Sequence, residues 1–217
     1  VQQDAIQNLV SLLQKRPELV GVTGRIRYYD SDRIWNCGGR LTWYGSRKYY
    51  FHGKRIAQTP QNGWMQISFI TGCAAMFATH VFCQTGLLTE QFFFGEEDYE
   101  LSLRLKDHKM PLACCFDAVI LHKVGRSIHK STTNKILRSS YIYYLSRGID
   151  LRQHWSPIRW QLWVHASMIY ILPMLWIRHD IQWKDLWMLR SQVLRDCRRL
   201  DSVDKTRFER AVQGLFD

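Results

Sequence analysis

The sequence predicts an α/β fold, a mixed sheet with flanking helices followed by amphipathic helices at its C-terminal end. Three observations predict it. Over residues 1–150, apolar runs of strand length alternate with helical stripes, the order that builds an α/β layer and places ligands at strand ends. Beyond residue 150 the chain turns rich in Trp and Arg with a helical period, so 151–217 reads as a helical tail. Within the first part, Phe92-Phe93-Phe94-Gly95-Glu96-Glu97-Asp98 crowds three aromatics, a glycine and three acids together. Neighbouring like charges repel, and a segment that keeps them usually has a use for a carboxylate of tuned basicity.

The elements follow in order. Asp4 to Lys15 places Ile6, Leu9, Val10, Leu12 and Leu13 on one stripe, with Asp4 as the N-cap and Pro17 as the stop. Val20 to Ile26 is a short strand whose glycines mark close packing or a turn. Asp30-Ser31-Asp32 and Cys37-Gly38-Gly39 are turns, and Thr42 to His52 is a polar, aromatic excursion. Met65 to Phe77 is a buried strand bent at Thr71-Gly72-Cys73. His80 to Gly86 is a short helix closed by its glycine. From Asp98 a helix runs with acids first and bases last, the order its dipole favours. Met110 to Leu121 is an apolar strand, Trp160 to Ile177 runs 18 residues without an acid, Lys or Arg, and Asp180 to Leu200 is amphipathic.

The net charge is +11. Between His122 and Arg152 seven Lys or Arg face one acid, Asp150, which suits anionic partners such as a nucleotide diphosphate or lipid headgroups. Nucleic acid is disfavoured, since no zinc-finger, homeodomain or RRM signature occurs. The six cysteines form no C-x-x-C pair and no disulfide framework, which points to a reducing compartment without structural zinc.

Six landmarks follow one another along residues 1–150, beginning with Gly21-Val22-Thr23-Gly24, Asp32-Arg33-Ile34-Trp35 with Gly38-Gly39, and Ile70-Thr71-Gly72-Cys73-Ala74-Ala75-Met76. They continue through Gly86 to Phe94, Glu97-Asp98-Tyr99-Glu100-Leu101-Ser102-Leu103-Arg104 and Asp117-Ala118-Val119-Ile120-Leu121-His122. In this order and spacing they resemble the inverting glycosyltransferases of family 2, with their GT-A (Rossmann-like) fold. The likeness is nearest to bacterial rhamnosyl- and galactofuranosyltransferases.

The resemblance implies that Asp98 is the general base, taking the proton of an acceptor hydroxyl as that oxygen attacks the anomeric carbon. Glu97 then contacts acceptor hydroxyls, Glu96 faces the acceptor and tunes the cluster, and Gly72-Cys73-Ala74 form the acceptor-side wall. Trp43 and Tyr44 either stack on a sugar or cover the core. His122 is implied in a site for Mn²⁺ or Mg²⁺ that holds a nucleotide-sugar donor. The family's Asp-x-Asp is not found ahead of Gln2, and Asp30-Ser31-Asp32 follows the wrong strand. The chain is therefore expected to be the catalytic-base half of such an enzyme, inactive as isolated residues 1–217. Its acceptor would be a lipid-linked or cell-surface glycan at the cytoplasmic face of the plasma membrane, with the tail against an anionic membrane surface. Trp160–Ile177 is read as an interfacial helix, a spanning helix or a packed helix. The competing function class is a non-catalytic remnant that binds a membrane or a partner. Taken without the resemblance, the acids are a solvated helix cap and His122 a satisfied histidine at a strand end.

Overall fold

The structure, a computed structural model, describes residues 2–123 and 133–213. It divides into two compact units, one of residues 1–88 with 97–127 and one of residues 89–96 with 128–217. The chain therefore passes between them three times. The sequence placed one boundary near residue 150. The helical unit instead begins before the long helix that spans that position and also takes in 89–96.

The first unit is mixed α/β, as the alternation predicted. Helix α1 (Ala5–Lys15) packs Ala5 and Leu9 beside Val22, Ala113 and Ala118 of the sheet, and Ile6 is exposed. Asp4 occupies the N-cap position, but its side chain makes no capping hydrogen bond, contrary to expectation. Strands β1 (Gly21–Tyr28) and β7 (Leu112–His122) run parallel at the centre, with β2 (Ile34–Asn36), β5 (Trp64–Ile67) and β6 (Met76–Phe77) antiparallel beside them. The β1–β7 register slips after Gly24, where a Cβ would collide with the Ala118 carbonyl oxygen. Glycine is the residue that fits there.

Two strand expectations are corrected. Met65–Phe77 is not one bent strand: β5 pairs with β7 and β6 with β1, and the segment between them buries Phe69, Ile70 and Thr71 but exposes Gly72 and Cys73. Thr42–His52 is not irregular throughout, because β3 (Gly39–Leu41) and β4 (Arg47–Tyr49) form an antiparallel hairpin. Its turn is closed by the Thr42 hydroxyl, which donates to the Ser46 carbonyl (3.0 Å) and accepts from the Ser46 N–H (2.9 Å), with Gly45 at φ +72°. Helix α2 (His80–Thr85) ends at Gly86, φ +81°, as predicted. Helix α3 (Glu97–Asp107) buries Tyr99, Leu101, Leu103 and Leu105, and its first turn carries Glu97, Asp98 and Glu100.

The second unit is a helical bundle of α4 (Thr133–His154), α5 (Pro157–His179), α6 (Trp183–Arg199) and α7 (Lys205–Gln213). Helices α4 and α6 meet at Gly148, whose missing side chain leaves space for the Cys197 sulfur. The Trp160 indole N–H of α5 donates to the Gly148 carbonyl at 2.7 Å. Arg152 donates to the carbonyls of Cys197 (2.8 Å), Arg198 (2.9 Å) and Leu200 (2.8 Å), closing the C-terminal end of α6. Arg126 and Lys130 of the predicted basic run lie outside the described residues.

Candidate functional site

The site grows from the start of α3 and the loop between β5 and β6. The Gly72 N–H donates to Asp98 Oδ2 at 3.3 Å, and the Ile70 N–H donates to the Ser102 hydroxyl at 3.2 Å. That hydroxyl in turn donates to the Asp98 carbonyl at 2.7 Å. At the far side of the loop, the Thr23 hydroxyl of β1 donates to the Ala74 carbonyl at 2.6 Å. The loop is thus fixed to both α3 and β1. Since β6 runs antiparallel to β1, the residues preceding Met76 extend toward the C-terminal end of β1. Ligands of α/β sheets gather outside that end of the strands.

Asp98 is partly exposed. Its Oδ1 lies 3.5 Å from Arg47 Nη1, the side chains being 18% and 21% exposed respectively. The Arg47 guanidinium also lies over the Phe69 ring (5.1 Å) and the Tyr49 ring (5.8 Å). Burial first, then Asp98, raise the Tyr49 hydroxyl above its ordinary value, and Arg47 opposes them. Cys73 is an exposed residue with a partly screened thiol, 3.3 Å from the Thr71 hydroxyl. Its pKa is also raised, by desolvation first and then by the Asp98 charge, against the Thr71 hydrogen bond. The predicted residues Asp98, Gly72, Cys73 and Ala74 therefore come together, with Glu97 half-buried beside Asp98 on α3.

Other predicted residues are placed differently. Glu96 is 1% exposed, and its carboxylate accepts from the Arg147 guanidinium inside the helical unit. The sequence expected a tuning and acceptor-facing carboxylate; the side chain is instead committed to a buried ion pair. Trp43 sits at the hairpin turn, 81% exposed and edge-on to Tyr44 (5.6 Å), so it does not cover the core. It lies on the same hairpin as Arg47, four residues earlier. His122 ends β7, paired in register with Tyr28, and its ring lies 4.7 Å from that of Trp35. Trp35 meets Tyr49 at 5.9 Å, so a row of rings runs from His122 to the Arg47–Asp98 pair.

Among the described residues no group of three His, Cys, Asp or Glu gathers to hold a metal ion. His122 alone does not fit Mn²⁺ or Mg²⁺, which require several oxygen ligands. A cleft of about 290 Å³ lies along α3 with Ser102, Lys106, Lys109 and Met110 on its walls. None of the sequence-predicted site residues lines it.

Sequence reasoning did not find Arg47. Its hairpin lies far from Asp98 along the chain, and the one available signal was a cation between two aromatic stretches. As it stands, the arrangement offers a carboxylate held at two points at the mouth of an aromatic-lined strand end. That geometry suits accepting a proton from a hydroxyl. Neither the known protein families nor the curated protein sequences contain a match to this chain.

Proposed function

We propose that this chain supplies the acceptor side and the general base of a glycosyltransferase with a GT-A-like fold. The reaction is inverting transfer of a hexosyl or deoxyhexosyl group from a nucleotide-sugar to a lipid-linked or cell-surface glycan. The observation that carries the reading is the Asp98 carboxylate, partly open to solvent and held by the Gly72 N–H and Arg47. In this reading Asp98 removes the proton of the acceptor hydroxyl as its oxygen forms the new bond to the anomeric carbon. The nucleotide diphosphate departs from the opposite face. Glu97 binds neighbouring hydroxyls, Gly72 to Ala74 line the acceptor, and Trp43 offers an exposed ring for stacking on a sugar. A divalent cation would neutralise the leaving diphosphate. The described residues do not assemble its ligand set, so no step is assigned to His122.

The test is sugar transfer by the protein as its gene encodes it, using labelled nucleotide-sugars and glycolipid acceptors. Asp98→Asn is expected to lower kcat by roughly 10²–10⁴-fold with donor affinity little changed. Undiminished turnover would remove Asp98 from the role of base.

A second reading is favoured by one observation: the Asp98 carboxylate is already engaged by Arg47 and Gly72. Asp98 would then be a loop staple in a non-catalytic binding module. In that case Asp98→Asn lowers thermal stability, and no variant of the chain alters any transfer.

A further inference from the structure

Helix α5 carries apolar side chains on two opposite faces. Trp160, Val164, Met168, Ile171, Leu172 and Leu175 are buried within the bundle. Ile158, Leu162, Ala166, Ile169, Pro173 and Trp176 recur at three- and four-residue spacing and are all exposed. At 100° per residue this second stripe lies roughly opposite the first and runs for about 27 Å. No ionised side chain interrupts it between Arg159 and Arg178. It does not stop at the helix end. The Trp176 ring meets that of Trp183 at 5.4 Å, which carries the apolar face onto α6 and its exposed Trp187 and Met188.

A cation rests on an indole at the start of α5 and again midway along α6. Arg159 sits 3.7 Å from the Trp155 ring and Arg190 sits 5.1 Å from that of Trp187. From Trp155 to Arg199 seven Lys or Arg stand against three Asp. We propose that this α5–α6 face docks flat on the surface of an anionic phospholipid bilayer.

The chemistry is that of an interfacial helix. The aliphatic stripe enters the acyl boundary, Trp rings rest at headgroup level, and the flanking guanidinium groups meet lipid phosphates. A spanning orientation would strip six buried side chains of α5 from the bundle, so the helix lies in the plane. A second copy of the chain is the poorer occupant, because face-to-face pairing would bring two basic surfaces together. The inference stands apart from the transfer reading, since neither depends on the other's residues.

Vesicle flotation of the chain tests it, with phosphatidylcholine alone and with added phosphatidylglycerol. About tenfold or more additional binding to the anionic vesicles is expected, weakening as salt is raised. Leu162→Glu with Ile169→Glu should abolish flotation with an unchanged circular-dichroism spectrum. Arg159→Gln with Arg190→Gln should reduce binding toward the level of neutral vesicles. Asp98→Asn should float like the parent, which separates this result from any result on transfer. The proposal is overturned by absence of flotation, or by equal binding to both vesicles. It is also overturned by a dimeric mass in solution that the Leu162/Ile169 variant returns to monomer.

Discussion

At the scale of single residues, the Asp98 cluster can be read through its neighbour Cys73. Burial, then the Asp98 charge, hold the thiol above its ordinary value, so at neutral pH it stays protonated and reacts slowly. Replacing Asp98 by Asn removes a negative charge that opposes thiolate formation. The Cys73 alkylation profile should therefore shift to lower pH, with faster labelling at a fixed mildly alkaline pH. Peptide mapping after iodoacetamide treatment separates Cys73 from Cys83, the other exposed cysteine. An unchanged profile would mean that Asp98 and Cys73 are not near neighbours in solution. The acids at the start of α3 were legible because their type and order match the helix dipole. Arg47 was not, because a surface-like Arg in a polar hairpin carries no local mark of its distant partner.

Glu96 shows the same limit in the opposite direction. Adjacency suggested that it tunes Asp98, yet its carboxylate is given to Arg147, 51 residues away and fully buried. Removing one member of a buried pair leaves the other charge uncompensated, at a cost of about 3–5 kcal/mol. Arg147→Met is thus expected to lower Tm by roughly 10 °C in a thermal melt. The double replacement Glu96→Leu with Arg147→Met should recover most of that loss, because both charges leave the interior together.

Among elements, the helices were the more legible class. Their stripes, caps and stops are local signals, and α1, α2, α3, α5 and α6 fall close to where periodicity put them. The hairpin of β3 and β4 and the split between β5 and β6 depend on pairing with distant strands, which periodicity does not report. The α4–α6 crossing is a further case. Gly148 costs helix stability locally, about 1 kcal/mol relative to Ala, yet an added methyl would strike the Cys197 sulfur. Overpacking of this kind costs about 1–3 kcal/mol, so Gly148→Ala should be net destabilising. Combined with Cys197→Ala, which clears the sulfur, it should regain stability in chemical denaturation. That sulfur belongs to a thiol that burial pushes up to about 12, so it is chemically inert and its removal changes packing alone.

For the whole molecule, composition and alternation revealed an α/β part and a helical part. They did not reveal where the chain divides. The cue at residue 150 was a change of composition, whereas the division follows contacts, and α4 packs on α6 and α7. The segment 89–96 was misplaced for the same reason. Phe92 is buried, and the adjoining Phe93 N–H donates to the Val203 carbonyl (2.8 Å) while the Val203 N–H donates to the Gln91 carbonyl (2.7 Å).

That segment, lent to the helical unit and then returned at α3, governs how the gene can be cut. Neither unit is a continuous stretch of sequence, so no single stop codon or protease site yields one of them intact. A product ending at residue 150 keeps Arg147 but loses Val203, leaving the 89–96 segment without its strand-like partner and α4 without α6. It should be insoluble or protease-sensitive beside the full 217 residues, as limited proteolysis would show. An excision that closes Leu88 to Glu97 with a short linker, and ends before α4, is the cut that respects the topology. The α/β unit would then be available as an autonomous module for testing the proposed role of Asp98.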